Sequence, residues 1–272
     1  MLPLPPSWTL PAGFGQRQYA NKNHRLLAAP GGLSSFLSTF NYTLYILTYL
    51  EDKTLPLQAR LYALLGKTLP PAAAAGPSHI AALGALIASC RTTLRLFGLF
   101  PMYGWLRQLL AGPKPGQDMV LYATALTQCT LYIMYQALEN IGVLTDNKVL
   151  SPSVTARWNK SGSTAAIYGL AYRAWLGGVL CDFVRLGRQA QLTRAEREKR
   201  TSTALTTTQK QEDEREDAKW WAEAVVPMAW VPMAWQYGGG GGIPGWNIGM
   251  MGALGGLAGL GKITALWEAT AD

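Results

Sequence analysis

The chain has 272 residues and a formal net charge of +8, and 49% of its residues are hydrophobic while only 15% are charged. That charged fraction lies well below the roughly 25% of ordinary soluble domains, which argues against a free soluble domain. Ten Trp and twelve Tyr favour membrane interfaces, and a basic surface suits anionic phospholipid better than nucleic acid, because no nucleic-acid-binding signature is present.

Residues 1–32 are rich in Pro and Gly and carry the basic residues Arg17, Lys22 and Arg25. This composition cannot bury much apolar surface, so it predicts a disordered or loosely attached N-terminal arm.

Residues 33–50 have the clearest helical period in the chain, with an apolar stripe on one side and Ser, Thr and Asn on much of the other. We expect this stripe to be a membrane-inserting face, as in helices that bind lipid-packing defects with little help from charge. The alternative is an ordinary core helix, which is the commoner use of such a stripe. The stripe comprises Leu33, Phe36, Leu37, Phe40, Leu44 and Leu47.

Residues 33–150 read as one amphipathic helical region, interrupted by a Pro/Ala linker at 70–77. Within it, Arg91 and Arg95 lie one helical turn apart and predict a site for lipid phosphate headgroups, each charge being worth about 1 kcal/mol near the surface. A solvated face, or pairing with an acidic side chain such as Glu51, is the alternative. Residues 119–144 are apolar almost all round, which predicts a bundle helix.

Residues 151–187 form a hydrophobic helical segment, but Arg173, Asp182 and Arg185 make a lipid-exposed span marginal because charges are costly at the bilayer centre. The next region, 188–242, is predicted as a charged loop or solvated helix followed by a Trp-rich segment. That segment repeats Val-Pro-Met-Ala-Trp twice and ends in a glycine run.

Residues 243–272 are predicted to hold a C-terminal transmembrane helix, since 24 residues from Ile243 contain a single charge, Lys262. A helix of that length reaches about 36 Å, enough for a hydrocarbon core of about 30 Å. Its small-xxx-small patterns predict self-association between copies. The glycines concerned are Gly245, Gly249, Gly252, Gly255, Gly256 and Gly259.

No catalytic motif survives inspection: the chain has no nucleophile elbow, P-loop or zinc-peptidase signature. The three cysteines, Cys90, Cys129 and Cys181, are widely spaced in apolar segments and read as buried free thiols. We therefore expect no enzyme activity, no cofactor and no bound metal.

The order of four loose motifs resembles the peroxin-11 family of peroxisomal membrane proteins, in particular its divergent filamentous-fungal members. The motifs are the stretch around Phe40 to Leu47, the Arg-bearing helix from Arg91 to Gly98, the run from Tyr135 to Asn140, and a Trp-bearing helix pair that ends in a Gly-rich segment. Together they cover most of residues 33–267.

The resemblance implies an all-α protein of the peroxisomal membrane that elongates it and promotes division, by insertion of an amphipathic helix and by self-association. It also implies contact with the peroxisomal fission machinery and with the import receptor for peroxisomal membrane proteins. We expect the phospholipid membrane as partner, a homo-oligomer, and no nucleic acid.

Topology and role leave alternatives open. A single span at 243–266 would keep both the N-terminal region and the basic run after Arg188 in the cytosol; a hairpin that also uses 163–187 is the alternative. The rival functions are a small helical pore or metabolite transporter of the peroxisome, and a membrane-anchored adaptor.

Overall fold

The protein is all α-helical, as predicted, in the parts that the computed structural model describes: residues 24–28, 30–67, 78–157, 163–200 and 206–269. Most of the predicted N-terminal arm and all of the Pro/Ala linker lie outside these ranges. The main helices are α1 (Pro30–Leu64), α2 (His79–Arg95), α3 (Leu99–Leu110), α4 (Met119–Asp146), α5 (Pro152–Thr155), α6 (Ala165–Arg200), α7 (Thr207–Gly238) and α8 (Ile248–Glu268).

The helices pack in an order that closes on itself. The helix α4 packs on α6, α6 on α7, α7 on α8, α8 on α1 and α1 on α2, and α2 returns to touch α4. The short helix α3 lies outside this ring, against α4. The space enclosed by the ring is therefore bordered by six helices that are far apart in sequence.

Several of these helices have a polar N-cap residue. Its side chain accepts a hydrogen bond from a backbone N–H group that has no partner within the helix. Ser78 caps α2 and Asn247 caps α8. Asp118 caps α4 and also binds Arg188 of α6. Since Asp118 serves two helices, the end of α4 is tied to the middle of α6.

The charged tract, for which the sequence left a loop or a solvated helix open, is helical on both sides of residues 201–205. The helix α6 continues to its end at Arg200, and α7 begins at Thr207. The two helices run antiparallel and are joined by ion pairs, such as Arg197 to Asp213 at 3.3 Å and Arg200 to Asp213 at 3.1 Å. Pairing of opposite charges across the hairpin explains why a tract with both signs folds as helix.

The bundle buries several polar side chains beside a mainly apolar core and exposes many large apolar side chains. Among the described residues, the buried polar or charged set is Ser35, Asn41, Thr48, Gln128, Gln136, Glu139 and Thr155. Large apolar side chains are meanwhile exposed along most of the long helices. Single exposed apolar residues are ordinary, but buried polar residues are informative, and together they describe a molecule whose exterior suits lipid.

One helix of the described chain, α8, is long and apolar enough to cross a membrane, and only 17% of its most apolar window is buried. The helices α2 and α3, bent by 42° at their junction, would together pass the same test. Residues 165–187 of the other candidate segment lie in α6, which does not pass the test, so the alternative of a two-span hairpin finds no support there.

Candidate functional site

The apolar stripe of α1 points mostly away from the bundle. Phe36, Phe40 and Leu47 are 40%, 37% and 42% exposed and share one face because their spacings are four and seven residues. Of the other predicted residues, Leu44 is buried, while Leu33 and Leu37 are half-buried. The stripe is thus not the core-facing side of α1.

The polar side of α1 faces inward and holds Arg91 of α2. The Arg91 Nη2 donates to Ser38 Oγ at 2.9 Å, and its guanidinium lies 5.0 Å from the centre of the Tyr42 ring. The side-chain amide of Asn41 is oriented so that both its oxygen and its nitrogen have partners. The oxygen accepts from Arg91 Nη1 at 3.0 Å, and the nitrogen donates to the Gly84 carbonyl at 2.8 Å. These partners are all neutral, so they orient the charge of Arg91 without cancelling it.

Arg95, one turn further along α2, reaches α4 instead. Its Nη2 lies 3.1 Å from Glu139 Oε1, and Glu139 is only 3% exposed. The Tyr135 hydroxyl donates to the same carboxylate at 3.0 Å, and Asn140 donates to the Leu96 carbonyl at 3.0 Å. The Tyr-to-Asn motif of α4 is therefore a set of internal contacts that joins α2 to α4.

Arg91 and Arg95 line two neighbouring spaces, and the Arg95 side chain is 41% exposed. The first, the central cavity, has a volume of about 430 Å³. Its lining is mainly aromatic and comes from six helices: Asn41, Tyr42, Tyr45, Arg91, Arg95, Tyr135, Tyr172, Trp175, Trp230, Tyr237 and Met251, with Ala88, Thr92 and Met233. The two arginines predicted to bind lipid headgroups thus face clefts between helices and not a flat outer surface.

The second space, the basic groove, has a volume of about 610 Å³ and lies between α1, α2, α7 and α8. Its polar lining is Ser34, Ser35, Ser38, Arg91, Arg95, Lys219, Glu223 and Lys262, and the remainder is apolar or glycine. The convergence of two lysines on the arginines was not predicted, because Lys219 and Lys262 lie on helices more than 100 residues downstream. The serines within an apolar helix were the only sequence signal for it.

The predicted self-association glycines divide into two groups. Gly249, Gly252 and Gly255 pack against tyrosine and isoleucine side chains or backbone of α1 in the same chain. Gly259 also faces α1, where an added Cβ would lie 3.5 Å from Thr39 Oγ1. Gly256 faces open space, whereas Gly245 precedes α8 in a turn with φ +76°.

The cysteines do not form a site. Cys129 is buried and Cys181 is half-buried, but Cys90 is exposed, which corrects the prediction that all three are buried. The described residues contain no group of three or more His, Cys, Asp or Glu side chains that could hold a metal ion.

The family comparison gives the chain an identity at family level. A family model described as Peroxisomal biogenesis factor 11 (PEX11) matches residues 53–263, which is most of the chain and includes the whole of α2 to α7. No curated protein and no solved structure gave a significant match. The chain therefore belongs to the PEX11 family, and it is a peroxisomal membrane protein involved in peroxisome proliferation.

Proposed function

We propose that the protein elongates the peroxisomal membrane and promotes division by inserting the outward apolar face of α1 into one leaflet, without catalysis. The observation that carries this proposal is the orientation of α1, which buries Ser35, Asn41 and Thr48 and exposes Phe36 and Phe40. Burial of one such aromatic side chain in an apolar environment is worth about 1.5–3 kcal/mol. A row of them on one leaflet expands that leaflet and favours curvature.

The test of the wedge compares the double variant Phe36→Ser/Phe40→Ser with the wild type, each reconstituted separately into liposomes. We expect an unchanged circular dichroism spectrum, because both rings lie outside the bundle, and loss of most liposome tubulation in electron micrographs. The matched control is Val149→Ser/Val154→Ser, which removes two other exposed apolar side chains and should still tubulate. Equal tubulation by all three proteins would contradict the proposal.

Self-association, the second part of the mechanism, is proposed for the open side of α8. Gly256 has no atom within 4 Å of an added Cβ, and its neighbours Leu257 and Leu260 are exposed. Small residues on a free face let two membrane helices approach closely. Contact with the fission machinery and with the import receptor stays a proposal from family resemblance.

A second function, passage of small solutes, is favoured by the central cavity. A pore or carrier needs polar side chains facing inward, and Asn41, Arg91 and Arg95 line that cavity. The same liposomes, loaded with a small fluorescent anion, separate the two functions: leakage that survives Phe36→Ser/Phe40→Ser would assign transport to the interior and not to the wedge.

A further inference from the structure

We propose that the basic groove is a binding site for a ligand that carries a phosphate group. This inference is independent of the wedge and of solute passage, because it rests on the contacts inside the groove. Its three supports are an unbalanced positive charge, buried polar atoms without partners, and a shape that suits a phosphate joined to an apolar part.

The charge in the groove is positive and mostly uncompensated. Four cationic side chains line it, and Glu223 is the single carboxylate in the lining. Glu223 is already paired with Arg185 at 2.8 Å. Within the described ranges, no ion pair joins Arg91, Lys219 or Lys262 to a carboxylate. An anion would supply the missing negative charge, and phosphate suits a guanidinium because it accepts two parallel hydrogen bonds.

Two polar atoms in the lining have no hydrogen-bond partner in the described part of the chain, although they are buried. They are Ser35 Oγ and Arg95 Nε. Ser35 is only 8% exposed, so water outside the bundle does not reach its hydroxyl freely. Buried donors that lack partners cost free energy, and a phosphate bound in the groove would offer acceptor oxygens to such donors.

The groove is large enough for more than an inorganic ion. Its volume of about 610 Å³ falls in the range of roughly 300–1,000 Å³ typical of small-molecule sites. Beside the polar groups it is lined by Val226, Trp230, Ala258 and Ala265. Lys219 and Lys262 are exposed and Ser35 is buried, so the charge extends from an open mouth to an enclosed end.

The experiment is isothermal titration calorimetry of the full-length protein in an uncharged detergent. The probes are dioctanoyl phosphatidic acid, glycerol 3-phosphate and inorganic phosphate, with dioctanoylglycerol as the phosphate-free control. We expect saturable binding with one site per chain for at least one phosphate-bearing probe and none for dioctanoylglycerol. Binding of the lipid alone would identify a headgroup ligand, and binding of glycerol 3-phosphate would identify a free phosphate ester; both support the site.

Three variants locate the binding. We expect Arg91→Gln to weaken phosphate binding at least tenfold and Ser35→Ala to weaken it several-fold. Lys262→Gln should also weaken binding, and because Lys262 lies at the exposed mouth, this variant leaves the packed interior unchanged. The matched control Arg194→Gln removes the same charge outside the groove, where Arg194 pairs with Glu198 at 2.8 Å, and should bind as the wild type does.

A fourth variant is expected to strengthen phosphate binding instead of weakening it. Glu139→Gln removes the carboxylate that competes for Arg95, so phosphate should bind several-fold more tightly. Absence of saturable binding for every phosphate-bearing probe, or an equal loss in Arg194→Gln and Lys262→Gln, would overturn the proposal.

Discussion

Asp118 shows at the scale of one residue how the bundle is locked. Its Oδ1 accepts from the backbone N–H groups of Val120 and Leu121, at 3.0 and 3.1 Å, and so caps α4. Its Oδ2 accepts from Arg188 Nη2 at 2.8 Å. The hydrogen bond from Arg188 is the main cause that lowers the pKa of the Asp118 carboxyl.

The lowered pKa predicts a pH-dependent stability. A carboxyl whose pKa is lower in the folded state stabilises the fold above its unfolded pKa of about 3.9 and loses that contribution as the pH falls through the folded value. Asp118→Asn keeps a good capping side chain but removes the charge. Its melting temperature should lie below that of the wild type at pH 7, and the gap should narrow as the pH falls below the unfolded value of about 3.9.

Arg188→Gln is the partner control for this experiment. It should lower the melting temperature at pH 7 by a similar amount, and the double variant should be little worse than either single one, because both remove the same interaction. A gap between wild type and Asp118→Asn that stays constant down to pH 2 would contradict the assignment.

The sequence singled out Arg91 and Arg95 of the candidate site but not the residues around them. Periodicity identified the helix of Arg91 and Arg95, yet the carboxylate that pairs with Arg95 is Glu139, not Glu51. Glu51 instead accepts from Ser78 at the start of α2. Such contacts depend on how helices distant in sequence pack, and no local pattern encodes that.

At the scale of elements, α8 has two faces with different constraints. It runs antiparallel to α1, and an added Cβ at Gly252 would lie 2.7 Å from the Tyr42 carbonyl oxygen and 2.9 Å from the Ile46 amide nitrogen. Backbone atoms cannot rotate away as a side chain can. Gly252 therefore sets the distance between the two helices, while Gly256 does not.

This difference predicts opposite effects for one substitution at two positions. Gly252→Ala should lower the stability of the detergent-solubilised protein by about 1–3 kcal/mol, because the methyl group overpacks the contact. Gly256→Ala should raise it by about 0.5–1 kcal/mol, since Ala is the better helix former. Melting curves of the two variants followed by circular dichroism measure this directly, and equal shifts of the same sign would contradict the packing of α8 on α1.

The periods in the sequence gave the helices but not the direction of their faces. A stripe at helical spacing shows that one side of α1 is apolar. It does not show whether that side faces the core of the bundle or the lipid outside it. The direction follows from α2, which binds the polar side of α1 through Arg91, and from α8, whose glycines pack against Tyr and Ile side chains of α1. Likewise, the charges after Arg188 are compatible with a loop or a solvated helix until their partners on α7 are known.

At the scale of the whole molecule, the ring of helices constrains how α8 meets the membrane. With 21 residues, α8 is about 31 Å long and could cross a bilayer. It is nevertheless packed on both α1 and α7. If the packed ring persists in the membrane, α1 and the Trp-rich half of α7 lie at the same depth as α8, and the exposed apolar side chains of the bundle meet lipid. If α8 crosses the bilayer alone, it must leave the ring.

A cross-link distinguishes these two arrangements. Thr39 and Gly259 face each other across the α1–α8 contact, with 3.5 Å between Thr39 Oγ1 and an added Cβ at Gly259. We expect Thr39→Cys/Gly259→Cys, in a chain with its natural cysteines replaced and a protease site introduced within 70–77, to form a disulfide in isolated peroxisomal membranes. After oxidation and cleavage, the two fragments should then migrate together on a non-reducing gel.

Thr43→Cys/Gly256→Cys is the control pair, because Thr43 is exposed and Gly256 faces open space, so its fragments should separate. If the Thr39/Gly259 pair cross-links in detergent but not in the membrane, α8 leaves the ring to span alone, and its glycine face is then free to pack against another partner. If it cross-links in both, the ring enters the bilayer as one unit, and the exposed rings of α1 insert together with α8.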